Sequence, residues 1–452
     1  MPSSPIARVS DLDAVFMTDG QNGVTWRTFF GHACRLAGEL PAGSHIVNLC
    51  EGRYAFTLGF VAALIAGRVT VLPAAAAAWT ANGAPESCPH PVGGVLTDEG
   101  RAWPSPLPQL EVPAAAGGDL PRLDAIPAVD DDRIACIVFS SGSTGAATAH
   151  PKQWRSLCQA GIDIGTRFDF ASGREAVVGS VPPRHMFGLE TTVMLPLQWG
   201  STLYAGRPLL PADVDTATRA LRGRRWLMTT PIHLRALADD ALCRAGFEAA
   251  ISATMPLSGP LAAQVEARFG AAIYEIYGCT EAGSLATRRT SRSTEWETLP
   301  GIVVEQRDGS AWVSGGHVAE ATPLEDLVTL AGPTRFQLGG RAAHVVKVGG
   351  KRTSLEALNA VLNDVAGVVD GVFFAPAEAG DATSRLVAFA VAPGLTAAGI
   401  LAELRGRLDP MFVPRPLYLV SRLPRNDLGK LTRRDLAGMA EQLSGADAAL
   451  RG

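Results

Sequence analysis

Ile137-Val138-Phe139-Ser140-Ser141-Gly142-Ser143-Thr144-Gly145 is an apolar strand pattern that runs straight into a loop of hydroxyl residues and glycines. These residue types suit an anion. Glycines let backbone N–H groups turn toward one phosphate without Cβ clashes, and Ser141, Ser143 and Thr144 add hydroxyl donors at close spacing. The same string also reads as a flexible turn, so its meaning depends on partners elsewhere in the chain. A P-loop is excluded, because G-x-x-x-x-G-K-[ST] does not occur. Gly145 is followed by Ala146-Ala147-Thr148-Ala149-His150-Pro151-Lys152, and the Gly350-Lys351 pair is followed by Arg352.

Three later segments supply partners. Tyr277-Gly278-Cys279-Thr280-Glu281 follows an apolar stretch over 271–276 and ends in a hydroxyl beside a carboxylate, the types that meet a phosphate oxygen and a magnesium ion. Gly339-Gly340-Arg341, then Val345-Val346-Lys347-Val348-Gly349-Gly350-Lys351-Arg352, predicts a short strand closing on a cation-rich glycine turn. Leu423-Pro424-Arg425-Asn426-Asp427-Leu428-Gly429-Lys430 is a turn-rich loop presenting one lysine. A compact ammonium is suited to a developing carboxylate or phosphate anion; an ordinary surface lysine is the alternative.

With these four segments in this order, the chain resembles the adenylate-forming superfamily of acyl-CoA synthetases, non-ribosomal peptide adenylation domains and luciferases. SSGSTG is similar to that family's phosphate loop, PPRHMFG at 182–188 to its acid-pocket motif, YGCTE to its adenylate and magnesium motif, and PRNDLGK to its catalytic lysine loop. Leu257-Ser258-Gly259-Pro260-Leu261 resembles its adenine-side loop, and Asp326 and Arg341 resemble the pair that holds the ribose. The resemblance implies an α/β fold: a large N-terminal domain of stacked αβ subdomains, residues 1–340, and a small mobile α+β C-terminal domain, residues 341–452, carrying the catalytic lysine.

The roles implied follow residue by residue. Ser140, Ser141, Gly142, Ser143, Thr144 and Gly145 would hold the β,γ-phosphates of ATP, with Lys152 nearby. Thr280 would contact the α-phosphate and Glu281 a Mg2+ ion. Lys430 would bridge the carboxylate and the α-phosphate. Ser258, Gly259, Tyr277 and Gly278 would flank the adenosine. His185 would stand at the mouth of the acid pocket, against the alternative of a core histidine on an apolar strand. Phe187, Gly188, Thr230, Ile276 and Cys279 would line that pocket, with slots at Gly188 and Gly259 suited to a flat ring. Gly349 and Gly350 would line the tunnel for a phosphopantetheine thiol after the small domain rotates.

The departures from the family pattern are specific. Pro151-Lys152 arrives several residues later than the family's Pro-Lys, which puts the role of Lys152 in doubt, and Ala343 stands where a hinge Asp is common. The chain is also short between Glu281 and Asp326. In compactness it resembles the ligases that load aromatic acids onto acyl carrier proteins in aryl-polyene or xanthomonadin-type pigment pathways. A hydroxybenzoate- or hydroxycinnamate-like acid and a carrier-protein acceptor are therefore expected. Free CoA, with an aryl- or medium-chain acyl-CoA ligase activity, is the alternative. A non-catalytic nucleotide-binding protein of the same fold is the alternative of another class, opposed by the presence of Glu281, Asp326, Arg341 and Lys430 together.

Composition bounds these readings. At 452 residues and 47% hydrophobic content the chain can bury a large core in more than one domain. Net charge is −4 and the pI about 6.1, which argues against nucleic acid. Seven scattered cysteines show no metal spacing and predict reduced thiols in the cytoplasm. The first ten residues lack the basic and apolar segments of a signal peptide. The apolar stretch 56–79 is interrupted by Arg68 and Pro73 and predicts a buried helix plus strand, not a membrane span. Residues 84–130, rich in Pro, Gly and acids, predict a surface connection. Residues 341–452 carry a net +3 and the rest of the chain −7. Cations gather at Arg405, Arg407, Arg415, Arg422, Arg425, Lys430, Arg433 and Arg434, either as a solvated face or as a docking surface for an acidic partner or a phosphopantetheine phosphate.

Overall fold

The computed structural model describes residues 2–73, 92–98, 100, 106–113, 120, 121, 123, 125–141, 147–172, 175–341, 345–348, 351–376, 385–425 and 431–449. Two large sheets dominate it. One is six-stranded, in the order Ala147–Gln153, Ile134–Ser141, Val69–Leu72, His45–Asn48, Val92–Thr97, Gln109–Glu111. All its pairings are parallel except the hairpin of the first two strands. The other has eleven strands. Its parallel middle runs Val15–Thr18, Thr202–Tyr204, Glu175–Gly179, Arg224–Thr229, Ala249–Ser252, Ala272–Cys279. Beyond Ala272–Cys279, antiparallel pairing carries the sheet through Gly283–Arg288, Trp296–Thr298 and Arg335–Arg341 to Asp326–Leu330.

Why these strands read as near-continuous apolar runs follows from the period of two. Val177, Trp226, Met228 and Ile251 point into one core, while their neighbours Ala176, Val178, Leu227 and Ala250 point into another beneath the helices Pro211–Ala220, Pro231–Asp239 and Gly259–Phe269. A parallel strand covered on both faces keeps no polar side. In the six-stranded sheet Ile46, Leu72, Leu96, Cys136 and Val138 enter the same main core, and Val47, Val71, Val95, Ile137 and Phe139 face away from it. The main core therefore lies between the two sheets. The helix Arg53–Ile65 within it is apolar apart from Arg53 and Thr57 and buried along nearly its whole length. Phe16 stacks on Trp26 at 3.8 Å at the start of the helix Trp26–Glu39, whose N-cap is Thr25.

Two further apolar clusters draw all their members from residues 346–443, around the strands Asp370–Phe374, Val387–Val391 and Leu417–Leu419 and the helices Leu355–Asn363, Ala397–Arg407 and Arg433–Ala449.

The α/β expectation holds, and a helix and a strand are found within the stretch 56–79, of which 74–79 lie outside the described residues. The surface connection expected over 84–130 needs correction. Val92–Thr97 is a buried strand pairing with His45–Asn48. Its glycines, which suggest a loop, serve close packing: a Cβ on Gly93 would lie 2.1 Å from the Ala42 carbonyl oxygen, and one on Gly94 2.7 Å from Pro41. No helix among the described residues is long and apolar enough to cross a membrane, and the described cysteines are all free.

Candidate active site

The expected phosphate-loop strand is Ile134–Ser141, paired antiparallel with Ala147–Gln153, so the loop closes a hairpin. Gly142, Ser143, Thr144 and Gly145 lie outside the described residues, and Ser140 and Ser141 are described by their backbone alone. The hairpin's second strand settles where Lys152 goes. His150 and Lys152 are two apart and share one face of the strand. Lys152 is buried, and its Nζ donates a 2.5 Å hydrogen bond to the Glu281 carbonyl oxygen. His150 Nε2 lies 3.4 Å from the Glu281 carboxylate. Burial holds the Lys152 amine below its usual range, against the opposing pull of Glu190. Burial likewise lowers His150, opposed by Glu281. Despite the late arrival of Pro151-Lys152, the lysine reaches the Glu281 backbone of the YGCTE turn.

That turn joins Ala272–Cys279 to Gly283–Arg288. A bulge at Tyr277/Gly278 admits only glycine, since a Cβ on Gly278 would stand 2.2 Å from the Gly283 carbonyl oxygen. Thr280 is half-buried, and Glu281 presents an exposed carboxylate. Burial pushes the Cys279 thiol up to about 12, so it is neutral at physiological pH. One carboxylate beside a hydroxyl suits magnesium, a hard ion that keeps substrate oxygens as ligands. Among the described residues no group of three or more His, Cys, Asp and Glu forms a metal cage, so an ion here would depend on those substrate oxygens.

The residues expected at the nucleoside lie on the same sheet and the loop beside it. The Tyr277 hydroxyl donates to Asp326 Oδ2 at 2.6 Å, its ring lodged against Trp296 and Phe336. Asp326 is the register partner of Arg341, whose backbone alone is described, so the expected ribose pair is adjacent. Ser258 caps the helix Gly259–Phe269, accepting from the Leu261 N–H, and also bonds the Asp364 carboxyl. The space beside Gly259 is open apart from the Thr290 carbonyl at 3.7 Å. The buried Glu275 fixes this loop by accepting from the Leu257 N–H at 2.9 Å while pairing Arg288 at 2.7 Å.

PPRHMFG leaves the C-terminal end of the strand Glu175–Gly179, the edge where open α/β sheets bind ligands. His185 is half-buried and stands at the N-cap position of the short helix Met186–Leu189, outside any strand, so the core-strand alternative does not apply. Phe187 and Ile276 are buried in the main core. The slot expected at Gly188 is absent: a Cβ there would lie 1.9 Å from the Pro182 carbonyl oxygen, so this glycine serves a close approach of backbone to backbone. Thr230 occupies the N-cap position of the helix Pro231–Asp239, with no side-chain capping bond, beside His233, whose Nδ1 lies 2.8 Å from Ser180 Oγ. Lys430 and the turn glycines Gly349 and Gly350 lie outside the described residues, as does Ala343. Arg425, at the start of the lysine loop, pairs Asp370 at 2.6 Å and approaches Met255 Sδ at 3.5 Å.

Several residues have no place in the motifs. Arg53 is wholly buried and binds the Gly179 and Val181 carbonyls at 2.7 and 3.0 Å and the Thr192 hydroxyl, clamping the PPRHMFG loop; burial takes its pKa down to about 9. Glu190 accepts from the Ser284 N–H and hydroxyl. His317 lies 3.1 Å from Asp163. A signal exists for two of them. Arg53 opens an otherwise apolar helix, and Glu190 is the lone ionisable residue in the apolar run 186–197.

A family model described as AMP-binding enzyme matches residues 74–306. The chain is 30% identical over 271 residues to a 4-coumarate–CoA ligase of Rhodobacter capsulatus, a stretch of 60% of this chain and 66% of that one. It is 21% identical over 355 residues to the peroxisomal OPC-8:0-CoA ligase 1 of Arabidopsis thaliana, covering 69% and 65%. The aligned chain thus spans just under two thirds of these relatives' length. In fold it is similar to ATP-bound MatB of Rhodopseudomonas palustris (TM-score 0.78, 17% identity, 96% and 97% covered). The O-succinylbenzoate coenzyme A synthetase of Bacillus subtilis, in complex with AMP, is alike at TM-score 0.78 and 16% identity, with 96% and 98% covered.

Proposed function

The chain belongs to the AMP-binding enzyme family, and on that premise we propose that it activates a carboxylic acid with ATP and transfers the acyl group to a thiol. In the first step a carboxylate oxygen attacks the α-phosphorus, the bond to the bridging oxygen breaks, and pyrophosphate leaves with the electron pair. In the second, a thiol sulfur attacks the acyl carbon, AMP leaves, and the thiol proton passes to solvent. Two anions must approach in the first step, so the barrier is largely electrostatic.

One observation carries the proposal. Residues far apart in sequence meet on one hairpin, with Lys152 bonded to Glu281 and Tyr277 to Asp326. In this reading Thr280 contacts the α-phosphate, Tyr277 and Asp326 serve the nucleoside, and Lys430 supplies the cation between carboxylate and phosphate. Magnesium bound at Glu281 supplies charge neutralisation on the phosphate oxygens. The phosphate loop 140–145, Ser258 and Arg341 complete the nucleotide's surroundings.

We assign the acid to the aromatic hydroxy acids and the acceptor to the phosphopantetheine arm of an acyl carrier protein, entering past Gly349 and Gly350 of a unit spanning 341–452. The exposed arginines Arg405, Arg415, Arg422 and Arg434 support an acidic protein partner. Free CoA as acceptor is the second reading, favoured by the 30% identity to a protein named as a 4-coumarate–CoA ligase. Pyrophosphate release with ATP and magnesium, across benzoates, cinnamates and fatty acids, tests the first step. Completion by holo-carrier protein supports the first assignment of acceptor, completion by CoA the second, and no release with any acid overturns the proposal.

A further inference from the structure

Beneath the hairpin turn lies a set of buried ionisable groups that the reaction does not consume. Glu190, Asp163, His317 and Lys152 are 1%, 3%, 5% and 7% exposed. Glu190 Oε2 accepts from the Ser284 N–H at 3.0 Å and from Ser284 Oγ at 2.5 Å. A Cβ on Gly283, which adopts φ +84°, would stand 2.4 Å from Glu190 Oε1 and 3.3 Å from His317 Nε2. The glycine therefore lets both groups close on the end of the turn. His317 Nδ1 lies 3.1 Å from Asp163 Oδ2, and Asp163 Oδ1 accepts from Gln159 Nε2 at 2.7 Å. On the other flank Lys152 Nζ bonds the Glu281 carbonyl.

These four groups come from four places in the chain, the phosphate-loop hairpin, the helix Trp154–Arg167, the π-helical turn Glu190–Met194 and the connection between Ser310–Gly315 and Val318–Pro323, and they surround the turn that leads into Gly283–Arg288. Buried carboxylates and ammonium ions are unfavourable unless paired and hydrogen-bonded. Apolar residues of similar volume would serve a core that needed only filling. Oriented ion partners instead hold a short turn in one geometry, and the π-helical turn that aims Glu190 is a distortion common at functional sites.

We propose that Glu190, backed by the Asp163–His317 pair, is the positioning residue that sets the Thr280–Glu281 turn for magnesium-ATP, with Lys152 fixing the turn's opposite flank. Glu190 touches neither nucleotide nor acid; it acts through Gly283 and Ser284. The assignment rests on the adenylate-forming reading of the site.

The test uses the full chain with Glu190→Gln, Glu190→Ala and Ser284→Ala. In the ligand-free protein, backbone hydrogen exchange across 278–285 should quicken in the order Gln, then Ala, with the rest of the sheet unchanged. In pyrophosphate exchange, kcat of Glu190→Gln should fall about 10–100-fold, the range seen when a partner behind a ligand is removed, with KM for the acid unchanged. Wild-type hydrogen exchange at the turn and wild-type kcat in Glu190→Gln would overturn the proposal, as would a loss matched by the unfolded fraction. Should both Glu190 variants fail to fold, Ser284→Ala carries the same comparison, with wild-type behaviour again overturning it. A wild-type protein with no pyrophosphate exchange for any acid would remove the catalytic reading, while hydrogen exchange would still decide whether Glu190 orders the turn.

Discussion

Replacing Lys152 with methionine keeps the aliphatic stem and removes one buried ammonium. Its hydrogen bond to the Glu281 carbonyl, at 2.5 Å and charge-assisted, contributes about 1.5–3 kcal/mol. Desolvation of the ammonium opposes that gain, as its lowered pKa indicates. The net change in unfolding free energy should therefore stay below about 2 kcal/mol. The consequence for chemistry is larger, because the Glu281 turn loses its tether: pyrophosphate exchange should fall about 10–100-fold, equivalent to about 1.4–2.7 kcal/mol of barrier. Urea titration and exchange kinetics on the same preparation separate the two effects. A pH arm adds a signature that packing alone does not produce. The amine titrates below 10.5 when folded and near 10.5 when unfolded, so just below pH 10.5 the unfolded chain binds more protons and the wild type gains stability as pH rises. Lys152→Met lacks that gain. Exchange at the wild-type rate in a folded Lys152→Met protein would refute the tether, and an unchanged alkaline slope would refute the burial argument.

Three other outcomes are expected. Lys430→Ala should abolish adenylate formation with the melting temperature unchanged; near-normal pyrophosphate release would remove Lys430 from the reaction. Reversing Arg415 and Arg422 to glutamate should slow transfer to a holo-carrier protein and flatten its dependence on ionic strength, leaving pyrophosphate exchange intact; an unaltered transfer rate would assign these arginines to a solvated face. His233 is held below its usual 6.5 by burial and then by Arg207. Below pH 6.5 the unfolded chain binds more protons, so stability should fall as pH drops. Thermal melts from pH 7.5 to 5.5 should show a shallower loss for His233→Gln, and parallel curves would place the acid sensitivity elsewhere.

The local pattern of this chain made much of the architecture legible. The apolar run 137–139 marks a strand covered on both faces, and the apolar stretch 271–276 leads into the strand Ala272–Cys279. The motif order pointed to the same hairpins that meet in the fold. Legibility failed where a residue answers to a neighbour distant in sequence. Gly93 and Gly94 look like a loop because the Ala42 and Pro41 atoms that forbid a side chain there are half a sheet away in the chain's path. Gly188 looks like room for a ring, but its missing Cβ admits the Pro182 carbonyl.

The sequence by itself determined the class of fold, the hydroxyl- and glycine-rich make-up of 140–145, and the residue types of the YGCTE turn. These depend on periodicity and on backbone freedom, both local properties. Only the tertiary structure decided that Lys152 lies beneath Glu281, that Tyr277 joins Asp326, and that Glu190 and His317 close on Ser284 and Gly283 with Asp163 paired behind His317. Burial and electrostatic pairing arise between segments from about fifty to more than a hundred and fifty residues apart. No spacing along the chain encodes which buried charge will find which partner until the sheets have closed around them.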